Sequence, residues 1–286
     1  MNVSIIIVNY NTKALLKQCL ESIYKQTKYV TFEIIISDNA STDDSVSMIK
    51  NNFPKVILIK NEKNLGFGAG NNRCLSKAIG EFVFYLNSDT IMLNNAVKIF
   101  FDFWKKNENQ KTLGALGCIL LNDQHLPTHS YGNFSSATNE LKEKCPWSSR
   151  KAIEVPITPP AEVDYITGAA LFMKNDQYAC FDERFFLYFD DSDLQLGLAK
   201  INKKRMVIPG PQIVHLEGGS NSSHNKITFQ GSFSRIQFAI SKIKYYKKRK
   251  DNPAAIFILK MFTIIKWLNP LILRSTFKYF PELLKT

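Results

Sequence analysis

The feature that most constrains this chain is the alternation of short apolar runs with helical patterns over its first ninety residues. Runs at Val3–Val8, Glu33–Ser37 and Val56–Lys60 have the length and β-branched content of strands. Between them, Lys13–Lys25 and Asp43–Asn52 carry the spacing of amphipathic helices. Such alternation specifies a parallel sheet with helices on its faces, which is the α/β class. The segment Ser41-Thr42-Asp43-Asp44 reads as the start of the second helix, with a hydroxyl capping free backbone N–H groups. A fourth strand at Glu81–Leu86, a helix over Leu93–Lys106 and a strand at Ala115–Leu121 extend the series.

In open α/β sheets, ligands bind beyond the carboxyl ends of the strands. Three polar segments stand there: Asn9-Tyr10-Asn11, Asp38-Asn39 and Asn87-Ser88-Asp89. Residues 122–162 lose the rhythm and carry five prolines, so they read as a long loop within one domain. Patterning resumes at Val163–Met173 and Arg184–Phe189, then a helix from Asp191 to Asn202 and short strands near Met206–Ile208 and Gln212–Leu216. There is no internal repeat.

Of the twelve net positive charges, nine fall in residues 242–286, which hold eleven Lys and Arg against two acids. The basic character therefore belongs to the tail, not to the α/β body. The five cysteines are widely spaced with no Cys-x-x-Cys pair, which argues against a zinc or dithiol site and fits a reducing compartment. The opening residues lack a basic region and a cleavage site, so secretion is not expected. Lys260 and Lys266 interrupt the most apolar segment, Ile256–Leu273, and no membrane span is expected.

Four motifs carry chemistry. Asp89 puts a carboxylate at a strand end, which suits either a turn cap or a divalent cation bridging to a diphosphate. Asp190, Asp191 and Asp193 crowd three acids into four residues at a helix start. The helix dipole alone favours them, but so close a set also suits a bound cation or a general base. His215, ahead of Glu217-Gly218-Gly219-Ser220, fits either a packed imidazole or a second metal ligand beside Asp89. Gly66, Gly68 and Gly70 open a helix after the third strand. Their spacing fails the dinucleotide fingerprint, leaving turn geometry or close approach of a nucleotide.

Read in order, Val-Asn-Tyr-Asn, Asp-Asn-Ala-Ser-Thr-Asp, Asn-Leu-Gly-Phe-Gly-Ala-Gly-Asn-Asn, Leu-Asn-Ser-Asp, Phe-Leu-Tyr-Phe-Asp-Asp-Ser-Asp-Leu and His-Leu-Glu-Gly-Gly-Ser closely resemble family 2 glycosyltransferases. The bacterial rhamnosyltransferase-like branch is the nearest, and the resemblance covers roughly residues 1–250. It implies a GT-A fold, Rossmann-like, with a mostly parallel central sheet over residues 1–240. A nucleotide half would span about 1–121, an acceptor half about 122–240, and a helical basic tail 241–286.

By the same resemblance, Asn9, Tyr10 and Asn11 line the nucleotide pocket, and Asp38 with Asn39 meets the base. Gly66, Asn71 and Asn72 border the ribose and diphosphate, beside Asn87 and Ser88. Asp89 is the last residue of the family's Asp-x-Asp motif, whose first Asp is Asn87 here. Asp89 and His215 would hold Mn2+ or Mg2+. The acidic pair falls on Asp190 and Asp191, with Asp191 as general base for an inverting transfer. The implied donor is a dTDP- or UDP-linked rhamnose or hexose, and the acceptor a glycan or lipid-linked glycan of a bacterial cell-surface polysaccharide.

Six of the nine residues from Lys242 to Lys250 are basic, and an apolar segment follows. A solvated helix face explains this, and so does attachment to an anionic membrane surface. With the lipid-linked acceptors of relatives, it implies a cytoplasmic protein peripheral on the inner face of the cytoplasmic membrane. A nucleic-acid-binding protein and a nucleotidyltransferase are the rival readings. The first is disfavoured because the charge lies outside the acidic pocket. Pyrophosphate release would identify the second. A processive synthase is disfavoured by the absence of spans and of Gln-x-x-Arg-Trp.

Overall fold

The computed structural model describes residues 1–106, 111–144, 157–216, 229–268 and 277–286. Cys145 and the Gly218-Gly219 pair lie outside them. The first half follows the expected rhythm: β1 (Val3–Asn9), α1 (Lys13–Gln26), β2 (Phe32–Asp38), α2 (Ser45–Asn52), β3 (Ile57–Lys60), α3 (Phe67–Leu75) and β4 (Phe82–Leu86). Then come β5 (Thr90–Met92), α4 (Ala96–Lys106) and β6 (Leu113–Gly117). The second half holds β7 (Tyr131–Gly132), α5 (Ala137–Lys144), β8 (Ala161–Glu162), β9 (Tyr165–Ile166), β10 (Ala170–Lys174), α6 (Asp190–Lys200), β11 (Lys204–Val207) and β12 (Ile213–His215). Helices α7 (Phe229–Arg249), α8 (Pro253–Trp267) and α9 (Phe280–Lys285) complete it.

Eight strands form one sheet in the order β3-β2-β1-β4-β10-β6-β11-β8. The first four run parallel, as helical crossovers require. Strand β10 is antiparallel to both neighbours, β4 and β6, because the chain reaches it through an irregular excursion and not a crossover helix. Side chains of β1 alternate between layers. Ile5 and Ile7 join a core built with α1, α2 and α4, whereas Ile6 joins one built with α3 and α6. With both faces covered, β1 is buried along nearly its whole length, which explains its continuous apolar run.

Local expectations fail where tertiary contacts override propensity. The patterned stretch at Val163–Met173 breaks after Ile166, where the Gly168 N–H donates to Asp191 instead of a strand. The segment Arg184–Phe189 forms turns and bends, not a strand, with Tyr188 and Phe189 both in the left-handed region (φ 69° and 62°). Strand β6 ends at Gly117, four residues short of the expected Leu121. The second helix has no hydroxyl cap. Asp44 occupies the cap position, and the Asp43 carboxylate accepts from Ser45 N at 3.2 Å and from Lys13 N, the first residue of α1, at 2.7 Å.

The tail is integrated more tightly than its charge suggests. Helix α7 runs unbroken through residue 240, and Ile243, Tyr245 and Tyr246 pack with Phe185 and with Ile256 and Leu259 of α8. Asn252 starts α8 by accepting from Ala254 N and Ala255 N, with Pro253 in the first turn. Four of the six clustered cations turn inward. Lys242 pairs with Glu140, Lys244 with Glu282, Lys248 with Asp182 and Asp193, and Arg249 with Asp251. Among the described helices, none is long and apolar enough to cross a membrane.

Candidate active site

Parallel pairing sets Asn9 beside Asp38 at the ends of β1 and β2. Asn9 Nδ2 donates to Asp38 Oδ2 at 2.7 Å and to Ser41 Oγ at 3.0 Å, while Ser41 N donates to Asp38 Oδ1 at 3.0 Å. Asn39 Nδ2 donates to Asn64 Oδ1 and to the Gly66 carbonyl, and its Oδ1 accepts from Asn61 Nδ2. Asn9, Asp38 and Asn39 are thus fully buried and satisfied, forming a polar floor at the carboxyl ends of β1 and β2. Tyr10 and Asn11 stand exposed above it, with Asn11 Oδ1 accepting from Thr42 N at 2.7 Å. Thr12, which the sequence did not single out, donates to Asn9 Oδ1 at 2.6 Å and lies 2.9 Å from Ser88 Oγ.

Of the glycine segment, Gly66 caps α3 while Gly68 and Gly70 lie in its first turns, and the requirement is for close packing. Gly66 has φ +84°, and a Cβ there would sit 2.2 Å from the Phe186 carbonyl oxygen. That carbonyl accepts from Phe67 N at 2.9 Å. At Gly70 a Cβ would press on Val8 of β1 at 2.9 Å. Asn71 is buried and donates to the Phe67 carbonyl. Asn72 exchanges two hydrogen bonds with the Phe181 backbone and donates to Glu183, so its amide joins α3 to the 181–189 loop.

Strands β5 and β12 pair antiparallel with His215 opposite Thr90, and this register brings Asp89 and His215 together. His215 Nε2 lies 3.3 Å from Asp89 Oδ1 and 3.3 Å from Asn87 Nδ2. Adjacent ligands of a six-coordinate ion, bound at about 2.1 Å, stand about 3 Å apart, so the oxygen and nitrogen here fit two positions of one shell. Among the described residues no third His, Cys, Asp or Glu joins them. A cation there would need non-protein ligands such as phosphate oxygens and water.

Asp190, Asp191 and Asp193 occupy the first turn of α6, yet their surroundings differ. Asp193 is bound by Lys248 Nζ at 2.5 Å. Asp191, half-buried, accepts from Gly168 N at 2.9 Å and from Ser192 N at 2.7 Å. Asp190, 4% exposed, accepts from Asp191 N through Oδ1, and its Oδ2 has no hydrogen-bond partner among the described residues. Burial pushes the Asp190 carboxyl well above the ordinary range, reinforced by the neighbouring Asp191 charge. Burial also raises Asp191, against the pull of the Gly168 and Ser192 N–H groups and of His129. Gln195, fully buried, donates to the Ile166 and Asp191 carbonyls and accepts from Ile166 N, fixing the helix against β9.

Asn87, His215, Asp190 and Asp191 all line one cavity of about 590 Å³, together with His129 and Tyr165. His129 sits in the irregular stretch, where no periodicity marked it, and Tyr165 in the patterned stretch that follows. The cavity therefore joins His215, whose Nε2 stands 3.3 Å from Asp89 Oδ1 behind the wall, to two carboxylates of raised proton affinity, suited to accepting a proton.

A family model described as glycosyl transferase family 2 matches residues 4–156. The N-acetylglucosaminyl-diphospho-decaprenol L-rhamnosyltransferase of Mycobacterium tuberculosis is 21% identical over 252 residues, 79% of this chain and 82% of the relative. The poly(ribitol-phosphate) beta-glucosyltransferase of Bacillus spizizenii is 34% identical over 121 residues, 41% of this chain. That match covers 19% of the relative, so this chain aligns with about a fifth of its length. In three dimensions, the mannosyltransferase PcManGT from Pyrobaculum calidifontis, in complex with GDP-Man and Mn2+, superposes with a TM-score of 0.58 at 19% identity. The match covers 96% of this chain and 72% of that one. GalNAc-T7 with UDP, GalNAc and Mn2+ gives 0.62 at 16% identity, over 87% and 50%. The architecture is the α/β GT-A fold.

Proposed function

This chain belongs to glycosyl transferase family 2, and on that premise we propose that it moves a sugar from a nucleoside diphosphate onto an acceptor hydroxyl with inversion. The observation that carries the reading is the shared cavity, with Asn87 and His215 on one side and Asp190 and Asp191 on the other. Asp191 is the general base. Its raised proton affinity makes it the stronger acceptor for a hydroxyl proton, and the Gly168 and Ser192 N–H groups fix its direction. Deprotonation in step with attack opposite the departing diphosphate inverts the anomeric centre. The charge of Asp191 in turn adds to burial in raising the proton affinity of Asp190.

Asp89 and His215 hold Mn2+ or Mg2+, for which the 3.3 Å donor pair is suited. When bound, that ion neutralises charge on the leaving diphosphate. The relatives named above that carry Mn2+ support this assignment. Tyr10 and Asn11 face the nucleotide from above the buried Asn9–Asp38–Asn39 floor, and Gly66, Asn71, Asn72 and Ser88 shape the pocket wall. The donor is dTDP-rhamnose or a UDP-hexose, and the acceptor is a lipid-linked glycan of a bacterial surface polysaccharide. The decaprenol-linked acceptor in the name of the mycobacterial relative supports this choice.

The protein works at the inner face of the cytoplasmic membrane. The exposed apolar residues of α8, among them Phe257, Phe262 and Ile265, support the membrane contact more directly than the largely paired cations of α7. That pairing also removes the main support for nucleic-acid binding. A thermal-shift panel of dTDP-, UDP- and GDP-sugars, with Mn2+ or chelator, tests the reading. Stabilisation by one nucleotide sugar that chelator abolishes is expected. A folded protein indifferent to every member overturns it.

A further inference from the structure

A second cavity, of about 810 Å³, runs between α7 and α8 with its end at α5. Its walls are apolar and aromatic: Phe238 and Ile236 from α7, and Leu259, Phe262 and Trp267 from α8. Its charge is unlike its walls. Lys144, Arg235, Lys242 and Lys266 line it against a single acid, Glu140. Glu140 is engaged by Lys242 at 2.7 Å, by Lys144 at 3.4 Å and by the Tyr246 hydroxyl. An apolar channel with excess cations is poorly matched to a neutral hydrocarbon and equally to a bare phosphate. It matches a molecule that is both, an anionic head on a long chain.

Position narrows the ligand further. Tyr188 and Phe238 line both this groove and the cavity at Asp190 and Asp191, with ring centroids 5.5 Å apart. On α7, Arg235 precedes Phe238 by one turn and Lys242 follows it by one turn, so the three share a face. Lys242 Nζ stands 5.7 Å from the Phe238 ring centroid. Arg235 and Lys242 thus stand where the two cavities meet, and the apolar walls lead away along α8. A helix of fifteen residues is about 22 Å long, room for several isoprene units.

We propose that this groove seats the prenyl diphosphate of the acceptor. The diphosphate lies against Arg235 and Lys242 at the junction, the chain runs along Phe262 and Trp267, and the attached sugar reaches past Tyr188 to Asp191. The proposal rests on the glycosyltransferase reading but concerns a site separate from the nucleotide pocket.

Calorimetric titration of the full chain with farnesyl diphosphate, with farnesol and inorganic pyrophosphate as controls, tests it. Farnesyl diphosphate is expected to bind at least about tenfold more tightly than either control. Phe262→Asp and Arg235→Ser, both at exposed positions, are each expected to weaken it by about tenfold or more. Neither is expected to alter the thermal shift given by the nucleotide sugar. Wild-type affinity in both variants, or displacement of farnesyl diphosphate by nucleotide sugar, overturns the proposal. So does absence of binding to protein that still shows the nucleotide shift, and the glycosyltransferase reading then survives. Loss of the nucleotide shift in the unmodified protein strikes that reading instead.

Discussion

Two sets of buried carboxylates sit in this molecule under opposite conditions. At the ends of β1 and β2, Asp38 receives Asn9 Nδ2 on one oxygen and Ser41 N on the other, and nothing around it is left unpaired. At the start of α6, Asp190 and Asp191 are crowded together, and one Asp190 oxygen has no described partner. The first arrangement gains stability and holds loop geometry. The second gives up stability to keep carboxylates basic, which is the usual condition of groups that move protons.

Substitution at each set separates the two roles. The largest effect is expected from Asp191→Asn, which keeps shape and removes the base. Initial-rate measurements are expected to show transfer reduced by about 10²- to 10⁴-fold with the nucleotide-induced thermal shift intact. Full transfer in that variant would end the assignment of Asp191. Asp38→Ala lies on the other side of the contrast. It leaves the Asn9 amide and the Ser41 N–H without an acceptor in a dry interior, and urea denaturation is expected to show a loss of about 3 kcal/mol. An unchanged midpoint would mean that the floor is not held by Asp38.

The smallest effect has the most diagnostic sign. Because the folded state raises the Asp190 carboxyl, the native protein holds a proton there more tightly than the unfolded chain. The stabilisation from that proton is complete below the unfolded value, about pH 4, and is lost as pH rises through the higher folded value. At neutral pH the buried charge is a cost. Asp190→Asn, which never ionises, is therefore expected to be about 1 kcal/mol more stable than the parent at pH 8, with the gap closing toward pH 4. Thermal melts across that range check it. A variant less stable than the parent at pH 8 would remove the contrast between the two carboxylate sets.

The parallel half of the sheet was legible in the sequence because strand length and helical spacing are local signals. The polar residues at its strand ends stood out for the same reason. What each acid does was not legible. Asp190, Asp191 and Asp193 look alike in a row, but Asp193 is taken by Lys248, a partner fifty-five positions away that only tertiary packing supplies. His129 joins the cavity from an irregular stretch with no pattern to mark it. The aromatic run before α6 has strand propensity, yet two successive left-handed residues turn it into the approach to α6. Charge counting along the tail likewise cannot see that Lys242, Lys244 and Lys248 face carboxylates distant in the chain.

Gly66 is a fixed point of measurement within the fold. The absence of a side chain lets the Phe186 carbonyl close to hydrogen-bonding distance of Phe67 N, and Asn72 bolts the same loop to α3 a turn later. The start of α3 and the approach to Asp190 and Asp191 are consequently one rigid piece. Under the proposed function, donor and acceptor are gauged from a common datum, so their spacing is held constant when either one arrives alone.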